Sequence, residues 1–425
     1  MFVLILSLFV LLAMGIPIAY ALGLSSLAYF VIEQPELTQI LPQRLFSGMN
    51  NYALISLPLF ILMGLVMNES GITGRLIRFS SLFVGRLRGG IGLVNVFASM
   101  IFGGISGSSA SDTASIGSVL IPEMKSKGYP GRFAAGITVA SSTMGMIIPP
   151  SVPIVLYAIV AQESVGRLFL GGLIPGLLIG FLQLFICLYI SVRNNYPKEA
   201  IDTRFANVIR EIRGSILVIL MPVLVVGAVV FGIATATESA GLGVLYAMLI
   251  GFLVIRALTF RRLLNCFRSA IITSAKIMMI IAMSTMYIWI LALERVPQTI
   301  AAWVTSMNLG PVSVMLLMNV IILGIGTFID VSPAILLMTP VLLPAAMEAG
   351  VSPVTFGVIL ISALAVGACT PPVGNCLNVC ASVSGLRIGT IFHGAMPFLL
   401  ANLVVLVLIT LFPQLVLWIP SVLMP

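Results

Sequence analysis

The sequence predicts an all-α integral membrane protein built from two copies of one unit in opposite orientations. Three observations carry this reading. The 425 residues are 60% hydrophobic and only 8% charged, whereas a soluble chain carries roughly a quarter charged residues. Most of the basic residues, 16 of 21, fall into four short stretches between apolar runs. A shift of 222 residues also lays the glycines and prolines of one half on those of the other, as with Pro122 and Pro344.

The apolar runs are 1–31, 51–68, 91–122, 133–160, 171–192, 215–232, 239–256, 270–292, 311–345, 355–382 and 396–418. A straight helical span needs about 20 such residues. The first run, MFVLILSLFVLLAMGIPIAYALGLSSLAYFVI, has no basic leader and no small-residue cleavage site, so it reads as a retained single span. Loops rich in Lys and Arg stay in the cytoplasm. These are Arg75, Arg78, Arg86 and Arg88; Lys125, Lys127 and Arg132; Arg193, Lys198, Arg204, Arg210 and Arg213; and Arg256, Arg261, Arg262 and Arg268. Loops with Glu33 and Glu36, Glu163 with Arg167, Glu238, Glu294 with Arg295, and Glu348 have no basic excess and read as external.

Run 91–122 then has cytoplasmic loops on both sides. It is interrupted between Gly103 and Thr113, and its arms of about 10 residues are too short to span. It is therefore a re-entrant hairpin. Run 311–345 lies between external loops, breaks between Gly324 and Pro333, and is a second hairpin entering from outside. The remaining runs alternate sides, which places the N-terminus in the cytoplasm and the C-terminus outside. Stretches 73–90 and 257–270 mix Arg with Phe and Leu and read as interfacial amphipathic helices.

The 222-residue shift also pairs Gly128 with Gly350, Gly145 with Gly367, Pro149-Pro150 with Pro371-Pro372, Gly172 with Gly394, and Pro175 with Pro397. Gly92 and Gly310 match at 218, so the second hairpin holds four extra residues. Loops 69–90 and 123–132 are basic, whereas their counterparts 294–310 and 345–353 are neutral or acidic. The copies are thus inverted, and span 215–232 turns the second one over. Inverted repeats with paired interrupted helices point to a transport site near the bilayer midplane.

Backbone broken at that depth is tolerated only where protein or a wet cavity surrounds it. Besides the hairpin tips, breaks occur at Ser141–Ser151 and Gly367–Asn375. Their carbonyls and hydroxyls are hard ligands for a small cation, and the helix N-termini beside them favour an anion. One cation site is expected per copy. The first joins Gly103, Ser106 and Ser108 to Gly145, Ile148 and Pro149; the second joins Gly324, Gly326 and Thr327 to Gly367 and Thr370. Asp112 and Asp330, the two carboxylates near the midplane, either tune cation or proton binding or cap the helix after each break. With Ser109, Thr143 and Asn375 they are the candidates for substrate binding or coupling. Five cysteines and one histidine offer no spaced metal site and read as packing residues. There is no HExxH, no GxxxxGK[ST] and no Gly-x-Gly-Asp, which argues against an enzyme and leaves an ion gradient as the energy source.

The runs FGGISGSSASDTASIGSVLIPEMKSKGYP and ASSTMGMIIPPSVPIVLYA, with GTFIDVSPAILLMTPVLLPAAMEAGVSP and ACTPPVGNCLNV, carry a resemblance. The chain is similar, essentially end to end, to the large membrane subunit of tripartite ATP-independent periplasmic (TRAP) transporters. The resemblance implies the ion-transporter-superfamily fold, with a scaffold and a transport domain that moves as an elevator. Mapped here, scaffold is expected at 1–90 and 171–310, transport domain at 91–170 and 311–394, and a terminal span at 395–425. It also implies a bacterial inner-membrane location, Na+ as coupling ion with no other cofactor, and two partners. These are a small membrane subunit of about four helices, expected as a separate chain because this one opens on its first span, and a periplasmic substrate-binding protein. The cargo would be an organic acid such as sialic acid or a C4-dicarboxylate. Sialic acid is the leading expectation, although no residue selects it. The alternatives are a stand-alone Na+–dicarboxylate or anion symporter of similar fold and, further off, an anion channel.

Overall fold

The computed structural model describes residues 1–198, 205–307 and 309–424. Arg204 of the third basic stretch lies outside them. The described chain is helical, with no sheet beyond a single bridge between Arg88 and Lys198.

Helices α1 (Phe2–Ala13) and α2 (Ile18–Glu33) open the chain, followed by α3 (Leu41–Met49), α4 (Ser56–Glu69) and α5 (Ile72–Val84). The first hairpin is α6 (Gly90–Ser106) and α7 (Ser109–Ser126). The first interrupted helix is α8 (Gly131–Ser142), α9 (Met144–Ile147) and α10 (Val152–Ala161), and α11 (Val165–Arg193) follows. The second half runs α12 (Phe205–Val230), α13 (Ala236–Leu249), α14 (Phe260–Leu293) and α15 (Val296–Ser306). Its hairpin is α16 (Pro311–Gly326) and α17 (Val331–Glu348), its interrupted helix α18 (Pro353–Gly367) and α19 (Asn375–Ser384). Helices α20 (Ile388–Leu411) and α21 (Gln414–Leu423) end the chain. Seven helical segments are long and apolar enough to cross a bilayer alone; the arms α6 and α16 are shorter. Shifted by 222, the first residues of α7, α10 and α11 fall within one residue of those of α17, α19 and α20.

The basic stretches gather at one end. Gly89 N–H donates to Pro197 O (3.1 Å), and the Arg88 guanidinium donates to Asn195 (2.7 Å). Arg75 donates to Gly214 O (3.0 Å), the Tyr129 ring meets Tyr196 at a 53° tilt with centroids 4.8 Å apart, and Lys125 donates to Ser384 O (2.7 Å). At the other end the Tyr29 hydroxyl bonds Glu294, and Tyr157 donates to Pro353 O (2.6 Å).

Run 1–31 is not the single span expected. Gly15 takes a left-handed conformation (φ +78°) and Pro17 has no N–H to continue a helix, so the chain reverses between α1 and α2. The amino group of Met1 reaches the Glu33 carboxylate at 2.9 Å. The N-terminus therefore sits at the acidic end, opposite to the end the sequence reading gave it. The α12–α13 pair repeats this reversal about 217 residues on, at Gly232 (φ +67°), so span 215–232 has a counterpart in α1 and is not a lone connector. Stretch 257–270 is no separate arm but the start of α14, whose 34 residues extend about 51 Å. Run 396–418 bends at Phe412-Pro413, and α21 lies along α11, with Val416 against Gly171.

One apolar core joins the hairpins and interrupted helices. Helix α8 packs on α20, α18 on α16, α11 and α20, and each hairpin crosses to the other half, α7 on α19 and α17 on α10. A second, smaller core of Leu22, Tyr29, Phe30, Tyr287 and Ile290 lies between α2 and α14.

Candidate functional site

At the first hairpin tip α6 ends on Ser106, Gly107 turns at φ +63°, and α7 starts at Ser109. The tip lies directly on the break between α9 and α10. A methyl group on Gly103 would sit 3.0 Å from the Gly145 backbone, and one on Gly104 would sit 3.0 Å from Pro149 O. One on Gly107 would be 3.2 Å from Pro150 O. Glycine is required here because two backbones touch. Ile148 is extended and buried at the break, and the peptide bonds Pro149-Pro150 and Pro371-Pro372 are both cis.

Ser106 Oγ accepts from Ser108 N–H (3.2 Å) and donates to Asp112 Oδ1. Asp112 is fully buried, one turn inside α7 rather than at its cap. Its Oδ2 has no hydrogen-bond partner among the described residues and points at Gly145, where a side chain would strike it. A buried carboxylate oxygen without a donor is neutralised by a cation or by a proton. The break carbonyls Pro149 O and Pro150 O beside the tip, the Ser106 hydroxyl and the bare carboxylate oxygen are hard donors of the kind that suits Na+.

The second tip repeats the contact. A methyl on Gly326 would lie 3.3 Å from Gly367 Cα, and one on Gly367 would lie 2.6 Å from the Gly326 carbonyl carbon. Thr327 donates to Gly324 O (2.8 Å), and Thr327 O accepts from Val373 N–H (3.2 Å). Thr370 donates to Val366 O (2.8 Å). Around Gly324 the space is open. The charge does not repeat: 112 + 222 is Ala334, and 330 − 222 is Ser108. Asp330 stands at the N-cap of α17 without a capping bond and accepts from Asn375 Nδ2 at 3.4 Å, on an exposed edge.

The two halves meet where Ser109 Oγ lies 3.0 Å from Cys376 Sγ. Together with the Asp330–Asn375 contact, this brings the N-termini of α7, α17 and α19 to one place. Such ends attract anions.

Thr143 does not join the tips. It is buried, donates to Ala140 O (2.6 Å) and accepts from Asn402 Nδ2 (2.8 Å). Asn402 Oδ1 in turn accepts from Gln183 Nε2 (2.7 Å), which also donates to Ala140 O (3.1 Å). The sequence reading passed over Asn402 and Gln183, whose one signal is an amide inside an apolar run. Together they tie the interrupted helix to α11 and α20. Asn402→Ala removes one hydrogen bond from each of Thr143 and Gln183, which keep only their bonds to Ala140 O, and is expected to cost about 1–2 kcal/mol, read as a fall of several degrees in apparent Tm of the purified protein. Unchanged unfolding would show that the network is dispensable.

Tips laid on helix breaks inside a multi-spanning helical protein define a membrane transporter. Residues 5–415 match the family described as Tripartite ATP-independent periplasmic transporter, DctM component, and the chain belongs to that family as a large permease component. It is a transporter, not an enzyme. It is 34% identical over 410 residues to the sialic acid TRAP transporter large permease protein SiaM of Vibrio cholerae, covering 96% of this chain and 95% of that one. It is 35% identical to the isethionate TRAP transporter permease protein DctMQ of Oleidesulfovibrio alaskensis, covering 95% of this chain but 63% of that one. In fold it is similar to the Alcanivorax borkumensis YdaH transporter, with a TM-score of 0.63 at 16% identity over 93% and 91% of the two chains.

Proposed function

We propose that this chain moves an organic acid across the bacterial inner membrane together with Na+. In this reading a periplasmic binding protein delivers the acid, and a small membrane subunit stands beside the chain. The carrying observation is the pair of glycine contacts, Gly103 on Gly145 and Gly326 on Gly367, which lay a hairpin tip on a helix break in each half. In this reading each tip and break together take one Na+. The converging N-termini of α7, α17 and α19 take the carboxylate, with Ser109 and Asn375 as donors.

The basic end faces the cytoplasm, which puts both termini outside. The halves are inverted, and the mobile body comprises the hairpins and interrupted helices with α11 and α20, which pack on them. That is a larger unit than the 91–170 and 311–394 expected from the sequence. Helices α2 to α5 and α12 to α15 form the scaffold against which it moves as an elevator. Two Na+ with one monoanion carry one net charge inward, worth about 2.3 kcal/mol at 100 mV. Each Na+ adds about 1.4 kcal/mol per tenfold gradient. The sum, roughly 5 kcal/mol, sustains accumulation of about several thousand-fold.

The test is uptake of labelled sialic acid, C4-dicarboxylate and isethionate into proteoliposomes holding this chain and the small subunit, with and without a binding protein. Uptake is expected to require both an inward Na+ gradient and the binding protein. Uptake by this chain alone would establish the stand-alone symporter instead, and passive flux down either gradient would establish a channel.

A further inference from the structure

One half of α14 carries a charge that no described residue answers. Lys276 lies inside the apolar run 270–292. Ten residues before it, Cys266 sits beside Glu69, where α4 ends among the basic stretches. Eighteen residues after it, Glu294 is held by Tyr29 at the opposite end. At about 1.5 Å per residue, Lys276 is about 15 Å along the helix from the first mark and about 27 Å from the second, which is hydrocarbon depth. Its side chain is exposed and forms no ion pair or hydrogen bond with any described residue.

Lys276 does not stand alone on that surface. Asn265, Ser269 and Thr273 are also exposed, at helical spacing on the same face, flanked by exposed Ile272. The adjoining face about 100° round the helix, Cys266, Ala270, Ser274 and Ile277, is buried in this chain's own core, so the stripe runs along the edge of that contact. From Met278 to Leu291 no residue is exposed, with Met283 against Gly23 of α2 and Thr285 against Gly48 of α3, so the polar stripe ends where this cover begins. A surface meant for acyl chains is apolar. Polar and small side chains in a row, with an unpaired cation, are what membrane helices use to bind one another. In the isethionate permease, moreover, the match covers only 63% of the length, so about a third of that polypeptide is additional to the part this chain resembles.

We propose that the stripe Asn265–Ser269–Thr273–Lys276 is the docking surface for a transmembrane helix of the small membrane subunit, with Lys276 paired to an Asp or Glu on that helix. This rests on the reading above that such a subunit accompanies the chain. The small Ser269 and Thr273 side chains let the partner backbone approach, and Lys276 fixes its register. Snorkelling of Lys276 toward lipid phosphates is the competing outcome.

The experiment co-expresses the tagged chain with the small subunit and measures subunit recovery after detergent purification. Lys276→Met, which keeps the span insertable, and Lys276→Glu are expected to lower recovery at least tenfold, whereas Lys276→Arg keeps at least half. A photoreactive residue at Thr273 in the otherwise native chain is expected to capture the subunit, and one at exposed Leu245 on α13 is not. Full recovery with Lys276→Met, together with only lipid adducts at Thr273, overturns the docking surface and leaves the transport reading intact. Binding-protein-dependent uptake by the wild-type chain with no second membrane protein present would remove the partner itself.

Discussion

Gly367→Ala is expected to lower Na+-driven uptake at least a hundredfold while the protein still reaches the membrane. The added methyl would lie 2.6 Å from the carbonyl carbon of Gly326 and 2.7 Å from its Cα, both backbone atoms that cannot rotate away. Ordinary contact begins near 3.4 Å, so the second tip must retreat by about 0.8 Å. Oxygen ligands of hard cations work within a window of about 0.3 Å, and that retreat takes the tip carbonyls out of it. A hundredfold loss corresponds to about 2.7 kcal/mol, the scale of one lost ligand. Gly324→Ala supplies the control. It belongs to the same predicted site, yet its added methyl meets nothing within 4 Å, so uptake is expected within about twofold of wild type. The reading is checked by initial uptake rates and by Na+-dependent thermal stabilisation of each purified variant. Equal rates for both variants would show that the glycine contact is packing rather than a cation site.

The places where the sequence was legible are those where the physics leaves few residue choices. A chain that breaks inside a bilayer needs glycine, proline and small hydroxyls, so the tips at Gly103–Thr113 and Gly324–Pro333 and the double-proline breaks stand out from their apolar surroundings. Those breaks set the starts of α7 and α17, which fall 222 residues apart. The first reversal was hidden because run 1–31 is apolar throughout, and only Gly15 and Pro17 mark the turn. Basic residues were a poor guide to the start of α14. No glycine or proline lies between Arg256 and Val296, so nothing stops the helix at 270. Single polar residues such as Gln183, Lys276 and Asn402 vanish when hydropathy is averaged over a span. Their meaning depends on which helix each one faces, and that is tertiary information. Substrate identity is a different matter: converging helix ends and hydroxyls hold any small anion, and no arginine stands among them to select one carboxylate over another.

Asp112→Asn is expected to raise the Na+ concentration for half-maximal uptake at least tenfold, and to cut uptake more than thirtyfold at low Na+. The substitution keeps the size of the side chain and an oxygen to accept from Ser106, so the tip stays in place. What it removes is the charge behind Oδ2, which faces Gly145 with no donor of its own. Two unit charges about 4 Å apart interact by about 4 kcal/mol at an effective dielectric near 20. Losing part of that, roughly 1.5–3 kcal/mol, gives a tenfold to hundredfold weaker site. The second site has Ala334 at the matching position and only the exposed Asp330 nearby, so Asp330→Asn is expected to shift half-saturation by no more than about threefold. The two sites thus differ in charge, and the wild-type Na+ titration should show a tight and a weak component, of which Asp112→Asn loses the tight one. If Asp112→Asn keeps both components with unchanged midpoints, the carboxylate serves only to hold the tip through Ser106, and cation affinity comes from the carbonyls alone.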